Sequence, residues 1–103
     1  MSDFLIDDMA VHLAASKNAD YRSRVRHRFN VFVAFLQDNG LTTRTLTDQN
    51  LVEADNLKIM RSDLTGEGYE VVRAAYDKWL RGHDKGKAID DVTPLRKALE
   101  KIR

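Results

Sequence analysis

Basic residues recur at every second position in the segment 17–29, which also contains the aromatic residues Tyr21 and Phe29. The arginines of this segment are Arg22, Arg24, Arg26 and Arg28. Arginine side chains contact phosphate groups and aromatic rings stack on bases, so this combination is typical of surfaces that bind nucleic acid. The segment therefore indicates one candidate function, the binding of nucleic acid through these four arginines.

The helical spacing of the same segment favours a structural role for its arginines. On a helix, residues two apart point roughly 200° apart, so Arg22 and Arg26 fall on one side and Arg24 and Arg28 on the other. Both pairs then border the apolar side chains of the segment. Their aliphatic stems would cover the edges of the core, and their charged ends would pair with acidic residues elsewhere. The sequence leaves both interpretations open.

Large aromatic residues provide a second candidate site, a contact surface for another protein. Trp and Tyr dominate the binding energy of many protein interfaces. The candidates are Phe32, Phe35, Tyr76 and Trp79. The alternative is that these residues line the core, because they share helix faces with other apolar residues. However, the segment 31–36 is apolar on nearly all sides, and any part of it left uncovered would form an interface with a protein partner or a second copy.

Residues suited to catalysis or to binding a metal or cofactor are sparse. The chain has no cysteine, which excludes disulfides, thiolate chemistry and Cys-ligated metals. Asp8 and His12 lie one predicted helical turn apart, but two ligands do not complete a metal site, so we interpret them as a surface pair. Gly66 and Gly68 lack the rest of a phosphate-loop motif, and Thr65 is predicted to cap a helix there. We therefore expect no catalytic residue, no metal and no cofactor.

The composition is that of one domain with balanced charge. The 103 residues are 43% hydrophobic and 32% charged, which suits a packed core with a polar surface. With 17 Lys and Arg against 16 Asp and Glu, attraction to nucleic acid requires a local basic patch. The chain begins without a secretory signal, and its longest apolar run is far shorter than the roughly 20 residues that cross a bilayer. We expect a single domain over residues 1–103, in the cytoplasm and without membrane contact.

Apolar residues at intervals of three and four predict two helices in the first forty residues. The first is placed at residues 3–16, with Ser2 as its N-cap. The second begins near Ala19 and ends at Gly40, where glycine suits the left-handed conformation that terminates helices. The alternative for the second is a buried strand over residues 31–36 followed by a tight turn.

Two further helices are predicted in the C-terminal half of the chain. The third has Thr65 as its N-cap and ends at Gly82. A polar surface loop follows over residues 81–91. The fourth helix opens at Thr93 and Pro94, because proline fits the first helical position. The apolar stripe of this short helix requires that it dock on the others.

The region between the second and third predicted helices is less regular. Residues 41–46 are rich in threonine and residues 57–59 alternate, which allows a short antiparallel pair around a helical turn beginning at Thr47. The predicted fold is mainly α: a compact four-helix single domain, with room for a two-stranded β element in residues 41–63.

Three short stretches resemble small bacterial helical proteins, of the kind carried on mobile gene cassettes. They are residues 62–68 (SDLTGEG), 76–80 (YDKWL) and 84–87 (DKGK). The resemblance covers the C-terminal part of the chain and implies a helical fold. It implies no function, so no site residue is transferred through it.

Two functional hypotheses follow from these residues. The first is a non-catalytic protein-interaction module that associates with itself, because the predicted helices carry more apolar surface than four short helices bury. The second is a small nucleic-acid-binding module that uses the basic stretch 17–28. The two differ in the surface that the structure has to expose, an apolar face in one case and a row of arginines in the other.

Overall fold

The computed structural model describes residues 3–46 and 57–103. These residues form four α-helices and a two-stranded antiparallel sheet around a hydrophobic core, which confirms the predicted mainly α fold. The helices are α1 (Met9–Ala14), α2 (Ala19–Asp38), α3 (Gly66–Asp84) and α4 (Thr93–Ile102), and the strands are β1 (Leu5–Asp8) and β2 (Lys58–Met60). None of the helices in this part of the chain has the length and apolar character needed to cross a membrane.

The N-terminal segment differs from the predicted helix over residues 3–16. Its first part is the strand β1, and only the six residues of α1 are helical. β1 pairs antiparallel with β2, with Leu5 opposite Met60 and Asp8 opposite Lys58. The prediction was wrong here because the hydrogen-bond partner of β1 lies about fifty residues away in the sequence. The spacing of apolar residues within one segment does not indicate such a distant partner. Asp8 caps α1 by accepting from the N–H of Ala10 at 3.0 Å, and the predicted cap, Ser2, lies outside the described residues.

The helix α2 confirms the strongest prediction from the sequence. Asn18 caps its start by accepting a hydrogen bond from the N–H of Tyr21 at 3.0 Å. At its end Gly40 has a φ of 67°, and the N–H of Leu41 donates back to the carbonyl oxygen of Leu36 at 2.9 Å. This is the glycine-terminated helix end that was predicted, so the alternative strand over residues 31–36 is excluded.

The predicted β element is present, but its pairing is different. One strand, β2, lies in the predicted region of residues 41–63. Its partner is β1, whereas the proposed partner segment, residues 41–46, contributes only an isolated bridge between Thr42 and Leu64. The predicted helical turn at Thr47 lies outside the described residues.

The helix α3 begins as predicted and ends later. Thr65 caps it through its Oγ1, which accepts from the N–H of Gly68 at 3.0 Å. The helix continues through Gly82, because the residue with positive φ is Gly86, at 91°. The N–H of Lys87 donates to the carbonyl oxygen of Gly82 at 3.0 Å and closes the helix end. The predicted loop over residues 81–91 is therefore shorter, since its first four residues are helical.

The connection between α3 and α4 is fixed by the side chain of Trp79. Its indole Nε1 donates to the carbonyl oxygen of Asp91 at 3.0 Å. Pro94 lies in the first turn of α4, as predicted, and α4 packs mainly against α3. Leu95 and Leu99 of α4 are buried and belong to the hydrophobic core. This packing sets the end of α3, the turn after it and the start of α4 close together.

Candidate functional site

The four arginines predicted to contact nucleic acid have different surroundings. Arg22 donates from Nη1 to the carbonyl oxygen of Leu13 at 2.6 Å, which ties α2 to the last turn of α1. Arg26 is half-buried and has an interaction of its own. Arg24 is exposed, and Arg28 is mostly buried. Arg24 and Arg28 line a common cavity, so the four arginines divide between two sides of α2 and do not form one surface.

The four aromatic residues predicted at a protein contact are buried in the core. The exposed fractions are 1% for Phe32, 7% for Phe35, 9% for Tyr76 and 2% for Trp79. The ring of Phe32 packs on those of Tyr76 and Trp79, with centroids 4.5 and 5.8 Å away. These rings therefore stabilise the fold, and a protein contact made by the folded chain has to use other residues.

Asp7 is the centre of a buried polar cluster. Its carboxylate accepts a hydrogen bond from the Tyr76 hydroxyl and lies 2.7 Å from Nε2 of His12, while Nη2 of Arg28 lies 3.7 Å away. Burial and the adjacent Asp7 carboxylate raise the pKa of Tyr76 above its usual range, so its hydroxyl keeps its proton and remains a donor. The predicted pair of Asp8 and His12 is wrong, because Asp8 caps α1 and His12 is bound by Asp7.

A cavity of about 450 Å³, which we call the basic cavity, lies where the end of α3 and the following turn meet the start of α4. Four cationic side chains and one carboxylate contribute to its lining. The cations are Lys78, Arg81, Lys85 and Lys87, and the carboxylate is that of Asp91. Trp79 and Pro94 form part of its apolar wall. The basic cavity therefore has more cationic than anionic side chains in its lining.

The helix and its terminal turn set the positions of these cations. Lys78, Arg81 and Lys85 follow one another at intervals of three and four residues, which places their side chains on one face of α3 and its cap. Lys87 is brought to the same place by its backbone hydrogen bond to Gly82. A methyl group on Gly82 would lie 3.5 Å from Cδ of Lys87, so the aliphatic stem of this lysine lies along the helix.

The cations of the basic cavity form no close ion pair in the described part of the chain, although, besides hydrogen bonds from Thr93, the charge of Lys87 helps to lower the pKa of Asp91. In residues 3–46 and 57–103, no ion pair joins any of the four to a carboxylate. Asp91 accepts hydrogen bonds from the hydroxyl and N–H of Thr93, and these bonds lower the pKa of Asp91. The negative end of the α3 dipole, equivalent to about half a charge, offsets only part of the four positive charges. The basic cavity thus keeps a net positive charge that suits an anion.

A second, smaller cavity of about 250 Å³ lies between α2 and the end of α3. Arg24 and Arg28 of α2 line it together with His83 and Asp84 of α3. His83 also lines the basic cavity. Burial and the nearby Arg28 lower the pKa of His83, so its imidazole is neutral at physiological pH. Two arginines and a neutral histidine give this smaller cavity a positive character as well.

Of the two glycines near the start of α3, Gly68 is required by close packing, whereas a Cβ at Gly66 would meet no neighbouring atom. The N–H of Gly68 is taken by Thr65, and a Cβ at Gly68 would overlap with the carbonyl oxygen of Leu41. This close approach explains the glycine without a bound phosphate. Within the described ranges, no group of three or more His, Asp or Glu side chains is arranged to hold a metal ion.

Sequence reasoning singled out Arg24 and Arg28 but missed the cations of the basic cavity. The available signal was the cationic series at Lys78, Arg81 and Lys85, which has helical spacing. The predicted surface loop over residues 81–91 hides this series, because it places Arg81 and Lys85 outside a helix. The cluster around Asp7 had no comparable signal, since its partners come from three other elements.

Comparison with known proteins leaves the site to be interpreted from geometry and charge. No family model, no curated protein and no solved structure matches this chain.

Proposed function

We propose that this protein binds nucleic acid through the phosphate backbone, at the basic cavity. The observation that carries the proposal is the set of four cations around one concave surface at the end of α3, none of which forms an ion pair with a described carboxylate. Unpaired lysine and arginine side chains release counterions when they contact phosphates, and this release drives binding of nucleic acid. The cytoplasmic location expected from the sequence is compatible with this function.

The spacing of the cations matches a run of phosphates. Lys78 and Lys85 are seven residues apart, a distance of about 10 Å along a helix. Successive nucleotides of one strand rise by about 3.4 Å, so the series spans about three phosphates. Arg81 lies between the two lysines, and Lys87 adds a fourth charge. A polymer with regularly spaced phosphates can therefore engage all four cations at once.

The contact involves phosphates more than bases. The large rings of the basic cavity and its surroundings, Trp79 and Tyr76, are buried and have no face free for stacking. Base stacking on exposed aromatic residues is the usual route to binding of single strands beyond the phosphate contacts. We therefore expect binding with little dependence on sequence and a strong dependence on salt.

The salt dependence of DNA binding tests this proposal. Fluorescence anisotropy with a labelled single strand should show log K falling with log salt, with a slope of about −3 for four phosphate contacts. Removing two contacts with K85A/K87A should bring the slope to about −1.5 and weaken binding at every salt concentration. The matched control is K17A/K58A, which removes two exposed lysines that do not line the basic cavity.

Three results would contradict the proposal. The first is absence of binding to single strands and duplexes at low salt. The second is an equal change of slope in K85A/K87A and in K17A/K58A, which would indicate attraction to total charge alone. The third is displacement of the DNA by stoichiometric ATP, which would identify the ligand as a free nucleotide.

A second candidate function is self-association, and a specific observation favours it. Among the residues that the structure describes, the most exposed large apolar side chains are Phe4, Leu5 and Val11, with exposed fractions of 43%, 48% and 61%. They lie within eight consecutive residues, and Leu5 belongs to β1, which pairs with β2 along one edge. Strands with an open edge pair readily with another chain. We propose that two copies associate through antiparallel pairing of their β1 strands. The buried aromatic residues Phe32, Phe35, Tyr76 and Trp79 take no part in this contact.

Size-exclusion chromatography with light scattering tests this second proposal. The protein should have twice the mass of one chain, and L5K should be monomeric because a lysine on an edge strand opposes pairing. I102K places the same charge on another exposed apolar residue, at the end of α4, and should leave the dimer intact. A monomeric mass of the unaltered protein at high concentration would end the proposal.

A further inference from the structure

We propose that the smaller cavity, between α2 and the end of α3, binds a small oxyanion, the carboxylate or phosphate group of a metabolite, with Arg24 and Arg28 as its cationic ligands. This site shares His83 with the basic cavity but has its own cations, and the inference does not depend on nucleic-acid binding.

The helix α2 directs both arginines into the cavity. Arg24 and Arg28 are four residues apart, so their side chains lie one above the other on one helix face. The guanidinium group presents a planar fork of N–H donors that matches the paired oxygens of a carboxylate or phosphate. The cavity holds about 250 Å³. This is below the roughly 300–1,000 Å³ of pockets for drug-sized ligands, so its ligand is a small molecule.

Arg28 and His83 have hydrogen-bonding capacity that the protein does not use. Nε and Nη2 of Arg28 and Nε2 of His83 are buried and have no hydrogen-bond partner among residues 3–46 and 57–103. Nη2 of Arg28 lies 3.7 Å from the Asp7 carboxylate, which also contacts the Tyr76 hydroxyl and the His12 imidazole. Buried polar groups without partners are rare in folded proteins. The guanidinium is therefore incompletely neutralised, and an anion in the adjacent cavity would complete its charge balance.

Asp84 is a built-in competitor of the bound anion. It is the carboxylate of the cavity lining and lies at the last position of α3. Its charge opposes an incoming anion, so D84N should strengthen binding. The same substitution removes a negative charge from the negative end of the α3 dipole, so it should not harm folding. A variant that gains affinity separates ligand binding from loss of structure.

The experiment follows the pKa of His83 by NMR while inorganic phosphate is added. We use the K85A/K87A background, in which two of the four cations of the basic cavity are removed and phosphate binding there is weakened. An anion near the imidazole stabilises its protonated form, so saturating phosphate should raise the pKa of His83 by about one pH unit. His27 is the internal control, because it is exposed, pairs with Asp90 and does not line the cavity. Its NMR signals should not respond to phosphate.

Three variants complete the test. D84N should bind phosphate about fivefold more tightly, the effect of removing one charge a few ångströms away in water. D77N, which removes an exposed carboxylate of α3 outside both cavities, should bind as before. R24A should weaken binding, and its exposed position makes it a safer variant than R28A, which would leave Asp7 without its cation.

The outcomes separate this inference from its alternatives. An unchanged pKa of His83 at high phosphate in both K85A/K87A and D84N overturns it. An equal shift with chloride at the same ionic strength, or an unchanged shift in R24A, overturns it as well. Acetate acting in place of phosphate supports it and identifies the recognised group as a carboxylate. Weaker DNA binding in K85A/K87A with retained phosphate binding separates the two proposed sites.

Discussion

Tyr76 has two roles in one side chain. Its ring packs against Phe32 in the core, and its hydroxyl donates to the buried carboxylate of Asp7. A tyrosine is suited to this position because its body is apolar and its end is polar. Removing the hydroxyl would leave the carboxylate with fewer partners, at a cost of about 1 kcal/mol in the free energy of unfolding at neutral pH.

We expect Tyr76→Phe to alter the alkaline pH dependence of stability. The ordinary pKa of this group is 10.0, and it is raised in the folded protein, so the folded state keeps a proton that the unfolded chain releases. The contribution of this protonated hydroxyl to the free energy of unfolding is fully present below pH 10. It is lost as the pH rises above 10, by about 1.4 kcal/mol per pH unit. Because Y76F lacks this loss, the difference in unfolding free energy between the two proteins should shrink as alkali is added.

Urea unfolding at a series of pH values from about 8 to about 11 measures this difference. Tyr21→Phe is the control, since the hydroxyl of Tyr21 has no part in the Asp7 cluster. Parallel stability curves for Y76F and the unaltered protein would show that the hydroxyl ionises alike in the folded and unfolded states, contrary to its buried contact with Asp7.

The start of α3 offers a matched comparison of two glycines. A Cβ at Gly68 would overlap with the backbone of Leu41, whereas a Cβ at Gly66 meets nothing within 4 Å. Alanine is favoured over glycine in helices by about 1 kcal/mol. G66A should therefore leave the protein equally or more stable, while G68A should destabilise it by about 1–3 kcal/mol through overpacking.

Thermal or urea unfolding of the two variants measures this contrast. If G68A is as stable as G66A, the segment that ends at Leu41 shifts without cost and does not hold the start of α3. A loss in both variants would mean instead that the cap at Thr65 requires glycine for conformational reasons.

The elements that the sequence predicts well are those whose signals are local. The period through Val25, Phe29 and Leu36 identifies α2, and Asn18 and Gly40 mark its ends within the same segment. The sequence predicts a helix in place of β1 because Leu5 and Ile6 lie four and three residues before Met9, a spacing that also fits a helical stripe. Its true determinant is the backbone of β2, and no local pattern contains that pairing.

At the scale of the whole molecule, one core joins the described elements. Met9 of α1, Phe32 of α2, Ile59 of β2, Val71 of α3 and Leu95 of α4 are almost completely buried and belong to one cluster. We therefore expect cooperative unfolding as a single domain. Far-UV and near-UV circular dichroism, which follow helices and aromatic packing, should give the same urea midpoint. Two separate transitions would contradict the single-domain prediction.

The candidate sites were predictable only in part, because they are assembled from separate segments. Arg24 and Arg28 were identified from their own segment, but their cavity is completed by His83 and Asp84, more than fifty residues away. The basic cavity exists because Trp79 holds the chain at Asp91 against α3. The composition gives only a net charge close to zero. It does not show which charged side chains form ion pairs in the folded protein.

The contact between Trp79 and His83 gives this chain an optical reporter. The two rings meet edge to face with centroids 4.6 Å apart, and Trp79 is the one tryptophan of the sequence. A protonated imidazole quenches indole fluorescence at such a distance, whereas a neutral one does so weakly. Since His83 borders both cavities, an anion that enters either and favours protonation should dim the emission. Unlabelled protein in a fluorimeter thus suffices to screen ligands.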